Sequence, residues 1–270
     1  MSGRFHRNDV LAALSYPSPA CRPTEVCGQP TMASTSTSVH GRRVHLLPTR
    51  PPPTFVRSAG VQVVEVALLA LLLHSVLVTA GIGEEATVMV NLVFAFVVLS
   101  VASFAGLDQR DIGLVTSREG WLLAAATGGT TAVLVVVAAA LGLVPSDAAV
   151  AALPTPAVWF RVLVAIPIGT AVCEEIIFRG ALLATLDRLT TTRWSTVITS
   201  ALFGLWHVAA EASRTGALGL GVLPGVLATA AVSAFVLIPL RRRSGDLAAP
   251  IAVHAVANVG VFAAVLLASG

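Results

Sequence analysis

The chain has 270 residues, of which 56% are hydrophobic and 11% charged, with a mean hydropathy of +0.85, where a soluble globular domain carries about 25% charged residues. That balance excludes an ordinary water-soluble fold and points to a protein whose apolar surface is covered by lipid. The formal charge is +3 and every basic residue is an arginine; the arginines lie between apolar runs with no basic patch interleaved with aromatics, which argues against nucleic acid as a partner.

Residues 1–58 differ in kind from the rest. They hold eight of the 15 prolines, a Ser/Thr run from Ser34 to Ser38, seven arginines and only two acids, Asp9 and Glu25. This composition reads as a disordered, basic, Pro-rich cytoplasmic tail. It has no charged n-region followed by an apolar h-region and a small-residue cleavage site, so a removable signal peptide is not expected. Met32 is an alternative start.

Beyond the tail, 59–270 reads as a transmembrane helical domain. Apolar stretches of bilayer-crossing length, about 17–25 residues, recur at approximately 61–82, 87–106, 121–144, 159–186, 194–210, 217–240 and 248–268. The expected fold is all-α, a polytopic bundle of about seven spans. The fourth stretch is long and contains Pro167, which predicts a bend, and the connection 108–119 predicts an interfacial helix. Cytoplasmic loops are enriched in basic residues. Placing the N-terminus in the cytoplasm gathers the tail arginines, Arg110, Arg118, Arg188, Arg193 and Arg241 to Arg243 on that face, against Arg161 and Arg214 near the other. A multi-pass protein of the cell membrane follows. The three cysteines, Cys21, Cys27 and Cys173, fit neither a disulfide framework nor paired zinc knuckles, and Cys173 reads as a packing residue.

Ionisable groups at mid-bilayer cost about 2.5–3.5 kcal/mol each even on the milder scales, so those present are candidates for function. The fourth stretch carries Glu174-Glu175-Ile176-Ile177-Phe178-Arg179-Gly180, the fifth Phe203-x-x-x-His207, the seventh His254-x-x-x-Asn258, and the first Glu65 and His74. Residues four apart share a helical face, while neighbours diverge by about 100°. Glu175 and Arg179 are therefore spaced to form an internal ion pair, leaving Glu174 to project into the bundle. By the same rule Phe203 sits beside His207 and His254 beside Asn258, so three helices each offer a polar stripe to one pocket. Counting about 1.5 Å per residue puts Glu174 and His207 some 20 Å from the arginine-rich face and His254 about 10 Å. Taken alone, His254 and Asn258 read equally well as interhelical hydrogen-bonding groups, and Glu175 with Arg179 as a buried ion pair. Glu65 is expected to snorkel to the interface and His74 to be a helix-contact residue.

Together, these three motifs, with the approach Ser244-Gly245-Asp246-Leu247 to the last histidine, resemble those of the CPBP family, also called Abi: the CAAX prenyl endopeptidases and bacteriocin-processing membrane proteases. The resemblance covers about 160–260. It implies an intramembrane endopeptidase that hydrolyses a peptide bond near the cytoplasmic face of the membrane, acting on a peptide or membrane-protein substrate of CAAX type or leader type. Glu174 would be the general base, His207 would orient the water, His254 and Asn258 would stabilise the oxyanion, and Glu175, Arg179 and Phe203 would hold the constellation. A glutamate mechanism and a metalloprotease mechanism both stay open; zinc, if it takes part, would fall to Glu174, His207 and His254. No HExxH arrangement is present, which favours metal-independent water activation. The alternatives are a non-catalytic membrane scaffold or immunity factor of the same fold, and a proton-coupled transporter using the intramembrane Glu, Arg and His as a relay.

Overall fold

The computed structural model describes residues 53–216 and 219–269. The tail expected over 1–52 and the alternative start at Met32 lie outside the described residues. The last part of the expected tail is instead helical. Pro53 opens the first helix, a position where its fixed φ suits the first turn and its missing N–H is not needed.

The helices, in chain order, are α1 (Pro53–Thr79), α2 (Glu84–Phe104), α3 (Gln109–Ile112), α4 (Arg118–Ala140), α5 (Ala148–Ala151), α6 (Thr155–Leu189), α7 (Thr192–Trp206), α8 (Val208–Thr215), α9 (Leu220–Ser244) and α10 (Ala248–Ser269). The described residues contain no strand. Six helices, α1, α2, α4, α6, α9 and α10, are long and apolar enough to cross a membrane. The molecule is an all-helical, multi-pass membrane protein.

The fifth apolar stretch is the one that departs from a full span. α7 has 15 residues and ends where His207 leaves helical geometry at φ −89°, ψ −2°; α8 then restarts with the polar residues Glu211, Ser213 and Arg214. Hydropathy averaged along the stretch does not register such a break. α6, by contrast, is continuous over 35 residues. Pro167 lacks the amide that regular winding would use, and Arg161–Val172 and Ile176–Leu182 are wound as π-helix around a single α turn at Cys173–Glu175. Wide turns of this kind recur at functional sites.

Between helices in lipid, close packing replaces the hydrophobic drive, and small residues permit the approach. α4 offers Gly120, Ala124 and Gly128 at four-residue spacing. Ala124 packs with Ala248 and Ala249 of α10, and a methyl group added at Gly128 would lie 3.5 Å from the Ala252 Cβ. The main core joins Val63, Val98, Ala102, Ile177, Phe178 and Leu182 of α1, α2 and α6, while Leu72, Phe96, Val136 and Phe235 point outward.

The polar ends tie the helices together. Arg188 near the C-terminus of α6 pairs with Asp111 at 2.7 Å, and Arg241 of α9 donates to the Asp111 carbonyl at 2.7 Å. Asp246 accepts from the Ser117 amide at 2.9 Å and hydroxyl at 3.1 Å, clamping the start of α4 beside the start of α10. α3 is the helix expected in this connection. Its capping box pairs Asp108 and Asp111 reciprocally, and the Asp111 backbone amide holds the Asp108 carboxyl below the usual carboxylate range. At the other end of α6, Arg161 pairs with Glu84 at 2.7 Å.

Candidate active site

Glu174 and Glu175 share the α turn of α6, and their diverging directions give them different partners. Glu175 is fully buried. Its Oε1 lies 3.1 Å from Arg179 Nη1, the expected ion pair one turn away, and 2.8 Å from His254 Nδ1 of α10. An ionised carboxylate only accepts, so Nδ1–H of His254 donates and the ring turns Nε2 toward the interior. Arg179, also fully buried, lays its guanidinium 3.8 Å above the Phe203 ring, a cation–π contact that offsets part of its desolvation.

Glu174 takes the other direction. Its Oε1 accepts from Trp206 Nε1–H at 2.9 Å. Its Oε2 lies 3.8 Å from His207 Nε2 and 3.8 Å from His254 Nε2, and is buried without a hydrogen-bond partner among the described residues. His207 donates Nδ1–H to the Phe203 carbonyl at 2.9 Å, because a carbonyl can only accept, and this turns its Nε2 toward Glu174. The Phe203 ring stands edge-on to both imidazoles, with centroids 4.8 Å from His207 and 5.8 Å from His254. The side chain of His207 is 23% exposed, against 4% for Glu174 and 7% for His254, so the constellation opens on the His207 side.

Three helices thus converge as the spacing predicts, and residues 155–260 match the family model described as Type II CAAX prenyl endopeptidase Rce1-like. This segment is similar to the family whose motifs it carries. No curated protein and no solved structure matches the chain.

Within the matched segment, Asn258 is half-buried one turn beyond His254 on α10 and, among the described residues, makes no direct hydrogen bond to the other site residues. The donor types for zinc are present, but the spacing does not suit it. Among the described residues no group of three His, Cys, Asp and Glu side chains stands close enough to hold a metal ion. Zinc binds nitrogen at about 2.0–2.1 Å and carboxylate oxygen at about 2.0–2.2 Å, and tetrahedral ligands would stand closer together than the 3.8 Å found here.

Two residues not singled out from the sequence reach this site. Trp206 is the partner of Glu174, and Asn91 of α2 meets His74 of α1 at 3.0 Å. His74 is a helix contact, as expected, but its contact is specific: its ring stacks on Trp206 at 3.9 Å and 13°. Asn91 was visible in principle as the one amide side chain in the second apolar stretch. Glu65 is exposed, and Cys173 is buried in the core.

Proposed function

We propose that this protein is a glutamate-dependent intramembrane endopeptidase that hydrolyses a peptide bond near the arginine-rich membrane face. The observation that carries this reading is the unpartnered Glu174 Oε2, held 3.8 Å from two imidazole nitrogens. That separation is too long for direct hydrogen bonds and suits one shared oxygen about 2.7–3.0 Å from each group.

A water at that point gives one O–H to Glu174 Oε2 and the other to the His207 lone pair, which leaves its own lone pair for a peptide carbonyl. As the oxygen attacks the carbonyl carbon, Glu174 takes the proton, and the carbonyl becomes a tetrahedral oxyanion. His254 faces that charge through Nε2, which can donate only from the doubly protonated ring, with Glu175 at 2.8 Å from Nδ1 as its counter-charge. Asn258, one turn along α10, supplies the amide donor; such donors are worth about 2.7–4 kcal/mol each when aimed at the developing charge. Collapse breaks the C–N bond, Glu174 returns its proton to the leaving amine, and a carboxylate and an amine depart. Arg179 and Phe203 hold Glu175 and the imidazoles in register. The positive-inside rule supports a cytoplasmic position for the end bearing Arg188 and Arg241 to Arg243, and with it a cytoplasmic N-terminus.

The test compares membrane-proteome termini from cells carrying wild type, Glu174→Gln and His207→Ala. Termini present only with the wild type are expected and would name the substrate as CAAX-type or leader-type; identical termini in all three would overturn the reading. Chelation with measured zinc content separates the two mechanisms: cleavage within about twofold of untreated enzyme is expected, since one donor system of this kind works by proton transfer alone. Loss of activity together with one equivalent of zinc would instead make the site a metal centre.

A further inference from the structure

Glu174 has two chemically equivalent oxygens, and a base that activates one water needs one of them held in a fixed direction. We propose that Trp206 and His74, with Asn91 behind them, are positioning residues that lock the Glu174 carboxylate with Oε1 engaged and Oε2 facing the two histidines. The proposal rests on the peptidase reading above and adds the group that orients its base.

The contacts form a closed circuit over four helices. Asn91 Nδ2 donates to the carbonyl of Gly169 on α6 at 3.0 Å, which turns its Oδ1 to accept from His74 Nδ1–H at 3.0 Å. The His74 ring lies nearly parallel to Trp206, 3.9 Å away. The indole also meets the Phe178 ring at 5.5 Å in an edge contact. Trp206 then donates to Glu174 Oε1 at 2.9 Å, five residues beyond Gly169 on the same helix. His74, Asn91 and Trp206 are all buried.

Two features set this circuit apart from generic packing. Histidine and asparagine inside apolar spans carry a desolvation cost that an aliphatic pair would avoid. Each polar atom named is used once, in sequence, and the chain of contacts starts and ends on the helix that carries Glu174. The circuit therefore fixes the carboxylate relative to its own backbone. Gly169 permits it by letting α2 come close: a Cβ there would meet Val88 Cγ2 at 2.7 Å.

The test uses the full chain in lipid nanodiscs with ¹⁵N-labelled tryptophan. The chain has four tryptophans, and Trp206→Phe assigns the indole signal of interest. Glu174→Gln, which keeps an acceptor but removes its charge, and His74→Leu are each expected to move that signal, and His74→Leu to speed its hydrogen exchange by about tenfold or more, leaving the other three in place. Turnover of a peptide spanning the bond cut in the terminal comparison is expected to fall about 10- to 100-fold in kcat for Trp206→Phe and His74→Leu, with KM within twofold, as for misplacement of a reacting group. His74→Phe, which keeps the stacked ring, is expected to recover part of the His74→Leu loss, and Asn91→Leu to resemble His74→Phe. An indole signal unmoved by Glu174→Gln and His74→Leu, or Trp206→Phe turnover equal to wild type, would overturn the proposal. Cleavage that survives Glu174→Gln would remove the peptidase reading together with the positioning role; the indole spectra would still show whether the circuit exists.

Discussion

Glu174 and Glu175 are neighbours in sequence and equally hidden from solvent, yet their surroundings differ. Around Glu175 one oxygen, Oε1, holds both Arg179 at 3.1 Å and His254 at 2.8 Å, with Phe203 stacked on the guanidinium, while Oε2 is buried without a hydrogen-bond partner among the described residues. Around Glu174 one oxygen is tied to Trp206 and the other is left facing two imidazoles at 3.8 Å. What differs is what the free oxygen or the paired charge faces: a carboxylate locked to a guanidinium holds structure together, whereas one whose free oxygen faces two imidazole nitrogens across a water-sized gap is placed for proton transfer. The single-residue offset, about 100° of helix rotation, separates the two.

Substitutions can break this contrast directly. Glu174→Gln is expected to lower kcat by about 10²–10⁴-fold while the thermal midpoint in detergent stays close to wild type, since Gln keeps an acceptor for Trp206. Arg179→Leu, on the other side, strands a buried carboxylate and is expected to cost about 3–5 kcal/mol, read as a lower midpoint and poor yield. If Glu174→Gln unfolds the protein and Arg179→Leu does not, the contrast has been drawn the wrong way round. A smaller effect is expected where the site is not involved: Gly128→Leu overfills the α4–α10 seam at Ala252 and should cost about 1–3 kcal/mol with kcat retained in the folded fraction. The smallest belongs to Asp108→Ala, which removes the α3 capping box. Because the Asp108 carboxyl is held below its usual range, its contribution is present above the ordinary carboxylate pKa and is lost as pH falls through the folded value. The midpoint difference between wild type and Asp108→Ala should therefore shrink on acidification, and a difference that grows would contradict the capping role.

Much of this was legible in the residues. Composition and hydropathy are enough for a membrane bundle, and regular four-residue spacing is enough for Glu175 with Arg179 and Phe203 with His207, because helix geometry converts one into the other. What connects separate helices was less accessible. His254 was expected to serve the reaction, but its bond to Glu175 depends on the rotation of α10 against α6. Trp206, next to a recognised histidine, and Asn91, one amide in an apolar run, have meaning only through His74, a residue on a third helix. The stripe Gly120, Ala124, Gly128 was visible but unmarked among apolar neighbours. The break at His207 is a backbone event, and a hydropathy window counts side chains.

That break bears on where the apolar run ends relative to the candidate site. A helix of 15 residues is about 22 Å long, against a hydrocarbon layer of about 30 Å. The shortfall is taken up by the chain turning polar, with Glu211, Ser213 and Arg214 on α8. The end of α7 is where His207, the most exposed member of the constellation, stands. The short helix therefore ends its apolar run at the site itself, with the polar residues of α8 next in the chain.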